Sequence, residues 1–213
     1  MSEAIVIKDL IMDFKKDRVL KGINHSFESG KIHGVVGNNG SGKTVMFKCI
    51  CGFLNPTGGS VTVEGKRIGR DTDFPESIGV IIEAPGFLPQ FSGLKNLEIL
   101  ASIKKNIDIT EIAEIIRTVG LDPTSRKPVG KYSLGMRQRL GIAQAIMEKP
   151  RILILDEPTN GLDKNGVREI RELIMSLRST ERTILIASHN MADIDELCDT
   201  VCEMDAGELT VIR

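Results

Sequence analysis

Residues 37–44 form the segment GNNGSGKT, which limits what this chain can fold into more than any other feature. Glycine adopts backbone conformations that other residues avoid, so successive N–H groups of such a loop can turn inward and hold a phosphate. The apolar run 32–36 precedes the segment, and residues 44–51 (TVMFKCIC) follow at helical spacing. A loop between a strand and a helix is the setting in which this motif binds nucleotides. The ordinary alternative is a tight turn that starts a helix.

The segment offers a full set of candidate contacts for the phosphates of a nucleotide. Backbone N–H groups would face the phosphates, Lys43 would reach the outer ones, and the Thr44 hydroxyl would bind Mg²⁺. The sequence therefore predicts that a nucleotide and Mg²⁺ bind here. The predicted contacts are Gly37, Asn38, Asn39, Gly40, Ser41, Gly42, Lys43 and Thr44.

Charge and composition narrow the classes of partner. The 213 residues carry 28 basic and 29 acidic side chains, with no Trp and one Tyr, so neither a positive field nor a base-stacking surface favours nucleic acid. No apolar run approaches the roughly 20 residues of a membrane-spanning helix, and the first residues lack a signal-peptide pattern. We expect a single cytosolic domain, residues 1–213, whose four cysteines are reduced and partly buried thiols.

Hydrophobic patterning predicts an α/β fold. Short alternating segments at the start of the chain are typical of antiparallel strands, whereas after residue 150 apolar runs alternate with helices. This alternation indicates a mainly parallel sheet covered on both faces, with a helical insertion at about 94–148. The predicted strands are 5–7, 19–20, 23–27, 61–63, 78–82, 152–155, 184–187 and 201–204, with a turn at 56–59 and a proline-rich loop at 83–92. The predicted helices are 44–51, 94–121 with an interruption near 106–110, 136–147, 167–177 and 191–197.

Two carboxylates follow the apolar run 152–155 in the segment ILILDEP. Open α/β sheets bind ligands at the carboxyl ends of their strands. We expect Asp156 to hold Mg²⁺ and Glu157 to polarise a water for in-line attack on the γ-phosphate. The alternative for Glu157 is helix or turn capping.

The segment 132–139 (YSLGMRQR) lies between these two elements. Ser133 is a good helix N-cap, and Gly135 lets another group approach the backbone closely. A helix N-terminus with exposed N–H groups can bind an anion, although an ordinary capped helix explains the segment equally well.

Four segments follow one another along the chain: GNNGSGKT, YSLGMRQRLGIAQA, ILILDEPTNGLD and the pair Ser188-His189. In this order they resemble the ATP-binding subunit of ABC transporters. The resemblance covers nearly the whole chain and implies a P-loop NTPase core with an N-terminal antiparallel β subdomain and an inserted helical subdomain. It implies that Ser133 and Gly135 contact the γ-phosphate held by an opposing subunit, in a head-to-tail homodimer, or heterodimer, with two ATP at the interface. It also implies that residues 160–163 touch the partner site and that His189 orients the attacking water. Phe14 falls where family members stack an aromatic ring on adenine, with a core phenylalanine as the competing interpretation.

The sequence departs from the family pattern at two positions. Leu134 replaces a glycine of the signature, and Glu83 occupies the place of a glutamine that meets Mg²⁺ or water. Gln90 lies too far into the loop to fill that place. The form IIEAPGF with YSLGM resembles the bacitracin, lantibiotic and multidrug export branch.

We therefore expect a Mg²⁺-dependent ATPase that lies at the cytoplasmic face of the cell membrane and drives a separate permease, for export of a peptide antibiotic, drug or similar compound. The loop with Glu83, Phe87, Leu88 and Phe91 would receive a permease helix, unless these side chains pack inside the helical subdomain. A non-transport relative that acts on DNA or ribosomes is the alternative function. A kinase would leave the signature segment unexplained.

Overall fold

The structure, a computed structural model, describes residues 2–83, 86–104 and 107–213. Pro85, in the predicted loop 83–92, and Asn106, at the predicted helix interruption, lie outside the described residues. In chain order the elements are β1 (Glu3–Phe14), β2 (Asp17–Glu28), β3 (Ile32–Val36), α1 (Lys43–Ile50), β4 (Gly58–Val63), β5 (Lys66–Arg67), β6 (Ile78–Ile81), α2 (Gly93–Lys104), α3 (Ile109–Thr118), α4 (Leu134–Ile146), β7 (Ile152–Asp156), α5 (Lys164–Ser176), β8 (Thr183–Ser188), α6 (Met191–Leu197), β9 (Thr200–Asp205) and β10 (Glu208–Val211).

A mainly parallel six-stranded sheet forms the centre of the fold. Its order is β10-β9-β3-β8-β7-β6, and every neighbouring pair is parallel except β10 with β9. Strands β3, β7 and β8 are buried along their whole length, as expected for apolar runs covered on both faces. Because β3 and β7 run in the same direction, the loop after β3 and the carboxylates after β7 lie at the same edge of the sheet.

A separate antiparallel sheet with the order β2-β1-β4-β5 contains the N-terminal strands. The strands β1 and β2 form a hairpin and are longer than the predicted segments, at 12 residues each. The prediction of a turn at 56–59 is wrong in its second half, because β4 begins at Gly58 and pairs there with Ile11 of β1. A Cβ at Gly59 would lie 2.1 Å from the carbonyl oxygen of Asp9, so this glycine permits close approach of the backbones.

Two apolar clusters pack on opposite faces of the central sheet. Alternate residues of β7 divide between them: Leu153 and Leu155 pack with the helical cluster, and Ile154 packs with the cluster that contains α1 and the antiparallel sheet. The helices α2, α3 and α4 form the predicted insertion between Gly93 and Ile146. The predicted α/β fold is thereby confirmed. None of the helices in the described part of the chain is both long and apolar enough to cross a membrane.

Candidate active site

The phosphate loop connects β3 to α1 at the carboxyl edge of the sheet. Gly37, Gly40 and Gly42 have φ values of 151°, 81° and 116°, in the region that side chains disfavour. A Cβ at Gly37 would lie 2.2 Å from the carbonyl oxygen of Met204 on β9, so only glycine fits there. The loop therefore follows the tight path that the sequence predicted.

Lys43 is the first residue of α1, and its side chain is 5% exposed. Its Nζ donates to the carbonyl oxygens of Gly37 at 2.7 Å and Asn38 at 3.1 Å, so the side chain curls back over its own loop. The same atom lies 3.8 Å from Oε1 of Glu157. The ammonium group thus stands between the phosphate loop and the carboxylate that follows β7.

Thr44 and Asp156 meet at the base of the site. The Thr44 hydroxyl donates to Asp156 Oδ2 at 2.5 Å, and the other oxygen, Oδ1, is buried with no hydrogen-bond partner in the part of the chain that the structure describes. Burial raises the pKa of Asp156, and the nearby charge of Glu157 adds to the effect. A buried carboxylate with a free oxygen beside a hydroxyl suits a hard cation, which prefers oxygen ligands. These residues therefore fit Mg²⁺.

Metal binding at this site would depend on few protein groups. Among the described residues, no cluster of three or more His, Cys, Asp or Glu side chains is arranged to hold a metal ion. Mg²⁺ usually binds through one or two protein oxygens together with substrate phosphates and waters. Thr44 and Asp156 match that pattern.

Glu157 follows β7 directly and has a φ of 52°, a left-handed conformation that is uncommon outside glycine. Its backbone N–H donates to the carbonyl oxygen of Ala187 on β8 at 2.9 Å. Its Oε2 lies 2.8 Å from Nδ1 of His189, the first residue after β8. Gln138 of α4 donates from Nε2 to the Glu157 carbonyl oxygen at 3.4 Å. The two strand ends thus bring Glu157 and His189 into one hydrogen-bonded pair.

Lys43, Thr44 and the two carboxylates line a cleft of about 420 Å³, whereas His189 is not among its lining residues and contacts the site through Glu157. Most of the predicted contacts from the phosphate loop and both carboxylates lie in its wall. Its lining residues are Val19, Asn39, Gly40, Gly42, Lys43, Thr44, Val45, Glu83, Gln138, Asp156, Glu157 and Asn160. Val19 and Gln138 were not predicted at the site, because neither belongs to a phosphate-binding motif and only the folding of β2 and α4 brings them to the cleft.

Ser133 and Gly135 lie at a different cleft, of about 460 Å³, which residues 161–163, 165 and 166 also line. The Ser133 side chain caps α4 by accepting a hydrogen bond from the Met136 N–H at 3.2 Å. Neither residue lines the phosphate-loop cleft of the same chain. The predicted contacts therefore divide between two separate surfaces.

Glu83 lines the phosphate-loop cleft, and its Oε1 lies 2.6 Å from Nζ of Lys48 on α1. Gln90 is exposed and does not line that cleft. In the same loop Leu88 is 42% and Phe91 36% exposed, whereas Phe87 packs against the helical core cluster. Of the three apolar residues predicted to bind a permease helix, Leu88 and Phe91 are therefore exposed and Phe87 is not.

Two predictions made outside the cleft meet different outcomes. Phe14 ends β1 and is 42% exposed, so the interpretation of this ring as a core residue is wrong. It does not line the phosphate-loop cleft, and its contact with adenine stays a prediction. The four cysteines are free, as predicted, but all four are buried and not partly buried. Burial raises the pKa of Cys49 to about 11 and of Cys51 to about 12.

The phosphate loop follows β3, Glu157 follows β7, and His189, which follows β8, is hydrogen-bonded to the Glu157 carboxylate. Together these groups define a nucleotide-hydrolysing α/β domain. The chain belongs to the ABC transporter family, whose family model matches residues 20–160. The predicted family is thereby confirmed, and the chain is an ATP-binding subunit of a transporter.

Relatives and solved structures agree with this assignment. The chain is 44% identical over 205 residues to the uncharacterized ABC transporter ATP-binding protein YybJ of Bacillus subtilis, covering 96% of this chain and 94% of the relative. It is 40% identical to the bacitracin transport ATP-binding protein BcrA of Bacillus licheniformis, covering 98% of this chain and 69% of the relative. The structure of cbiO1 from Clostridium perfringens, part of the ABC transporter complex cbiONQ, is similar with a TM-score of 0.86 and 27% identity, covering 99% of this chain and 88% of that one.

Proposed function

We propose that this chain is the Mg²⁺-dependent ATPase subunit that energises a separate membrane-spanning permease, and that the cargo is a peptide antibiotic, drug or similar compound moved outward. The observation that carries the proposal is the Glu157 carboxylate, which lies 3.8 Å from the Lys43 ammonium and 2.8 Å from His189 at the phosphate-loop cleft. The bacitracin transport relative supports the class of cargo.

ATP would bind with its phosphates against residues 37–44, where turned-in backbone N–H groups match phosphate oxygens. Lys43 would exchange the carbonyl oxygens of Gly37 and Asn38 for the β- and γ-phosphates, since a phosphate is the stronger partner for an ammonium group. Thr44 and Asp156, with Glu83 at the cleft wall, would hold Mg²⁺. Bound there, the ion would neutralise negative charge that accumulates on the phosphates during transfer.

Hydrolysis requires a water in line with the γ-phosphorus and a base to accept its proton. Glu157 supplies the base, since its carboxylate follows the strand whose last residue, Asp156, faces the metal position. His189 holds the Glu157 carboxylate by its Nδ1 and would place its other ring nitrogen toward the γ-phosphate. The carboxylate takes the water proton as the water oxygen attacks phosphorus, and the bond to the ADP oxygen breaks.

A dimer would complete each site, because Ser133 and Gly135 line a cleft other than the phosphate-loop cleft of their own chain. In a head-to-tail pair, the N–H groups at the start of α4 would reach the γ-phosphate held by the other subunit, and the helix dipole would favour its charge. Two ATP would then lie between two copies. This arrangement links ATP binding to closure of the pair.

The permease would bind the exposed part of the loop that begins at Glu83, so contact with the membrane partner would reach the wall of the cleft. Leu88 and Phe91 offer exposed apolar surface there. The subunit would then lie at the cytoplasmic face of the membrane. Action on DNA or ribosomes is disfavoured by the net charge of −1 and by the transport names of the relatives.

Purification of the tagged chain from detergent-solubilised membranes of its own cells tests the proposal. We expect an integral membrane protein to co-purify at a fixed ratio and to change the ATPase rate of the chain. A charge substitution at Phe91, which is exposed, should lower the recovery of that partner, and the control Val211→Glu, at an exposed position on β10, should not. Recovery of the chain only with nucleic acid or ribosomes would contradict the proposal.

A further inference from the structure

Asp193 on α6 is a buried carboxylate outside the phosphate-loop cleft, and the mechanism above does not use it. Its side chain is 2% exposed, and both of its oxygens accept hydrogen bonds. Thr159 Oγ1 donates to Oδ2 at 2.5 Å, and Asn190 Nδ2 donates to Oδ1 at 3.4 Å. Arg171 of α5 donates to Oδ1 from Nε at 2.9 Å and also from its terminal nitrogen. The carboxylate is therefore held by three segments of the chain.

The partners of Asp193 are close in sequence to the two residues of the hydrolytic pair. Thr159 lies two residues after Glu157, and Asn190 directly follows His189. The short segment that joins each partner to its residue of the pair is itself constrained by a hydrogen bond. The Asn160 N–H donates to the Glu157 carbonyl oxygen at 3.2 Å, and the Asn190 N–H donates to Ser188 Oγ at 3.0 Å. A displacement at either partner would therefore be passed to Glu157 or His189.

The charge of Asp193 is balanced by Arg171 of α5. Arg171 contributes a guanidinium that is itself only 18% exposed, and it also pairs with Glu196, which is 57% exposed. A buried carboxylate with both oxygens hydrogen-bonded keeps its donors in one arrangement, because rotation would leave a polar group unpaired in a medium of low dielectric. Arg171 thus anchors Asp193, and Asp193 in turn anchors Thr159 and Asn190.

We infer that Asp193 is a positioning residue that sets the separation between Glu157 and His189 by tying together the two segments that carry them. The inference rests on the proposed function, since it concerns the pair that acts in hydrolysis. Small displacements of a general base from the attacking water lower the rate steeply. The phosphate loop supplies the ATP affinity, and the side-chain hydrogen bonds of Asp193 in the described part of the chain go to Thr159, Arg171 and Asn190 instead. The expected signature is a loss of turnover with ATP binding retained.

The test compares Thr159→Val with Thr159→Ser in steady-state ATPase and ATP-binding measurements. Valine keeps the shape of threonine and removes the hydroxyl that Asp193 binds, while serine keeps the hydroxyl. We expect Thr159→Val to lower kcat about tenfold to hundredfold with the Kd for ATP within about twofold, and Thr159→Ser to restore most of kcat. Glu196→Gln is the matched control, because it removes the exposed partner of Arg171 and leaves Thr159 and Asn190 in place; its kcat should stay within about twofold.

A double-mutant cycle separates positioning from general support of the fold. In a His189→Ala background, Thr159→Val should cost less than about twofold further, because the pair it positions is already broken. Arg171→Met, at a partly exposed position, gives the same test should the valine variant fail to fold. The inference would be overturned if Thr159→Val and Arg171→Met each lowered kcat by the same factor in the His189→Ala background as in the wild type. A wild-type kcat in Thr159→Val would also overturn it. An inactive wild-type chain, or full activity in Glu157→Gln, would instead overturn the proposed function.

Discussion

Lys48 Nζ lies 2.6 Å from Glu83 Oε1, so the unconventional carboxylate at the cleft wall is paired with a cation of the helix that follows the phosphate loop. Glu83 also has a φ of 62°, in the left-handed region. Its charge contributes to raising the pKa of Asp156, after burial and Glu157. The pair with Lys48 offsets part of the repulsion that a third carboxylate would bring to a phosphate and metal site.

Replacing Glu83 by alanine should lower ATP turnover and make it less sensitive to the permease, with little change in ATP affinity. The physical reason is that one loop carries both the carboxylate at the cleft and the exposed residues Leu88 and Phe91. ATPase rate measured against Mg²⁺ concentration, with and without permease, gives the result. Gln90→Ala is the control, since Gln90 is exposed and outside the cleft. A crippled Gln90→Ala beside a normal Glu83→Ala would show that the assignment is wrong.

Ser133→Arg should abolish ATP-induced dimerisation and hydrolysis while the isolated subunit still binds ATP. Ser133 lies at a cleft separate from the phosphate loop, so an added guanidinium there obstructs the partner and leaves the nucleotide of its own chain untouched. Size-exclusion chromatography with ATP, together with nucleotide binding, measures both effects. Ser102→Arg, on the exposed face of α2, should dimerise normally. Loss of ATP binding by the Ser133→Arg monomer would place α4 at its own nucleotide instead.

The buried His33 should make the fold less stable in mild acid. Its ring is 2% exposed, with Nε2 2.8 Å from the Glu28 carbonyl oxygen and Nδ1 2.7 Å from Thr200 Oγ1. Burial lowers the pKa of His33 below its ordinary value of 6.5, so the unfolded chain binds more protons than the folded one below that pH. The contribution of neutral His33 to the free energy of unfolding is therefore fully present well above pH 6.5. It is lost as the pH drops from 6.5 toward the pKa of the folded state, by at most about 1.4 kcal/mol per pH unit.

Urea unfolding at pH 7.5 and 5.5 measures this dependence. The variant His33→Gln keeps a donor for the Glu28 carbonyl oxygen and cannot be protonated, so its free energy of unfolding should fall less over the same interval. His25, whose pKa burial also lowers, adds a dependence in the same direction, and the part due to burial remains in the variant. An equal fall in wild type and His33→Gln would show that His33 does not carry the effect.

The sequence was most informative where one local motif dictates one backbone path. Gly37 and Gly42 predicted the phosphate loop because only glycine tolerates the observed conformations, and the apolar run before Asp156 predicted a buried strand that ends in carboxylates. Strand boundaries were less predictable. Gly58 and Gly59 favour a turn in isolation, yet pairing with β1 extends β4 through them.

Contacts between distant segments lay beyond the sequence argument. The strand β10 was not predicted, because its short and partly polar sequence acquires its partners only by pairing with β9. Val19 and Gln138 reach the cleft through folding of β2 and α4, and the Lys48–Glu83 pair joins residues 35 apart in sequence. Such arrangements depend on tertiary packing, which no local period or motif encodes.

The central claim is that Glu157 is the base that activates the attacking water. Measuring both the ATPase rate and the ATP affinity of Glu157→Gln tests this claim most directly. Glutamine keeps the shape of the side chain and its contact with His189 while removing the group that accepts the water proton. We predict that the variant binds ATP with unchanged affinity, loses about 10²–10⁴-fold in ATPase rate, and accumulates as an ATP-bound dimer on size exclusion. An ATPase rate near that of the wild type would contradict the assignment of Glu157 as the base, and with it the proposed mechanism.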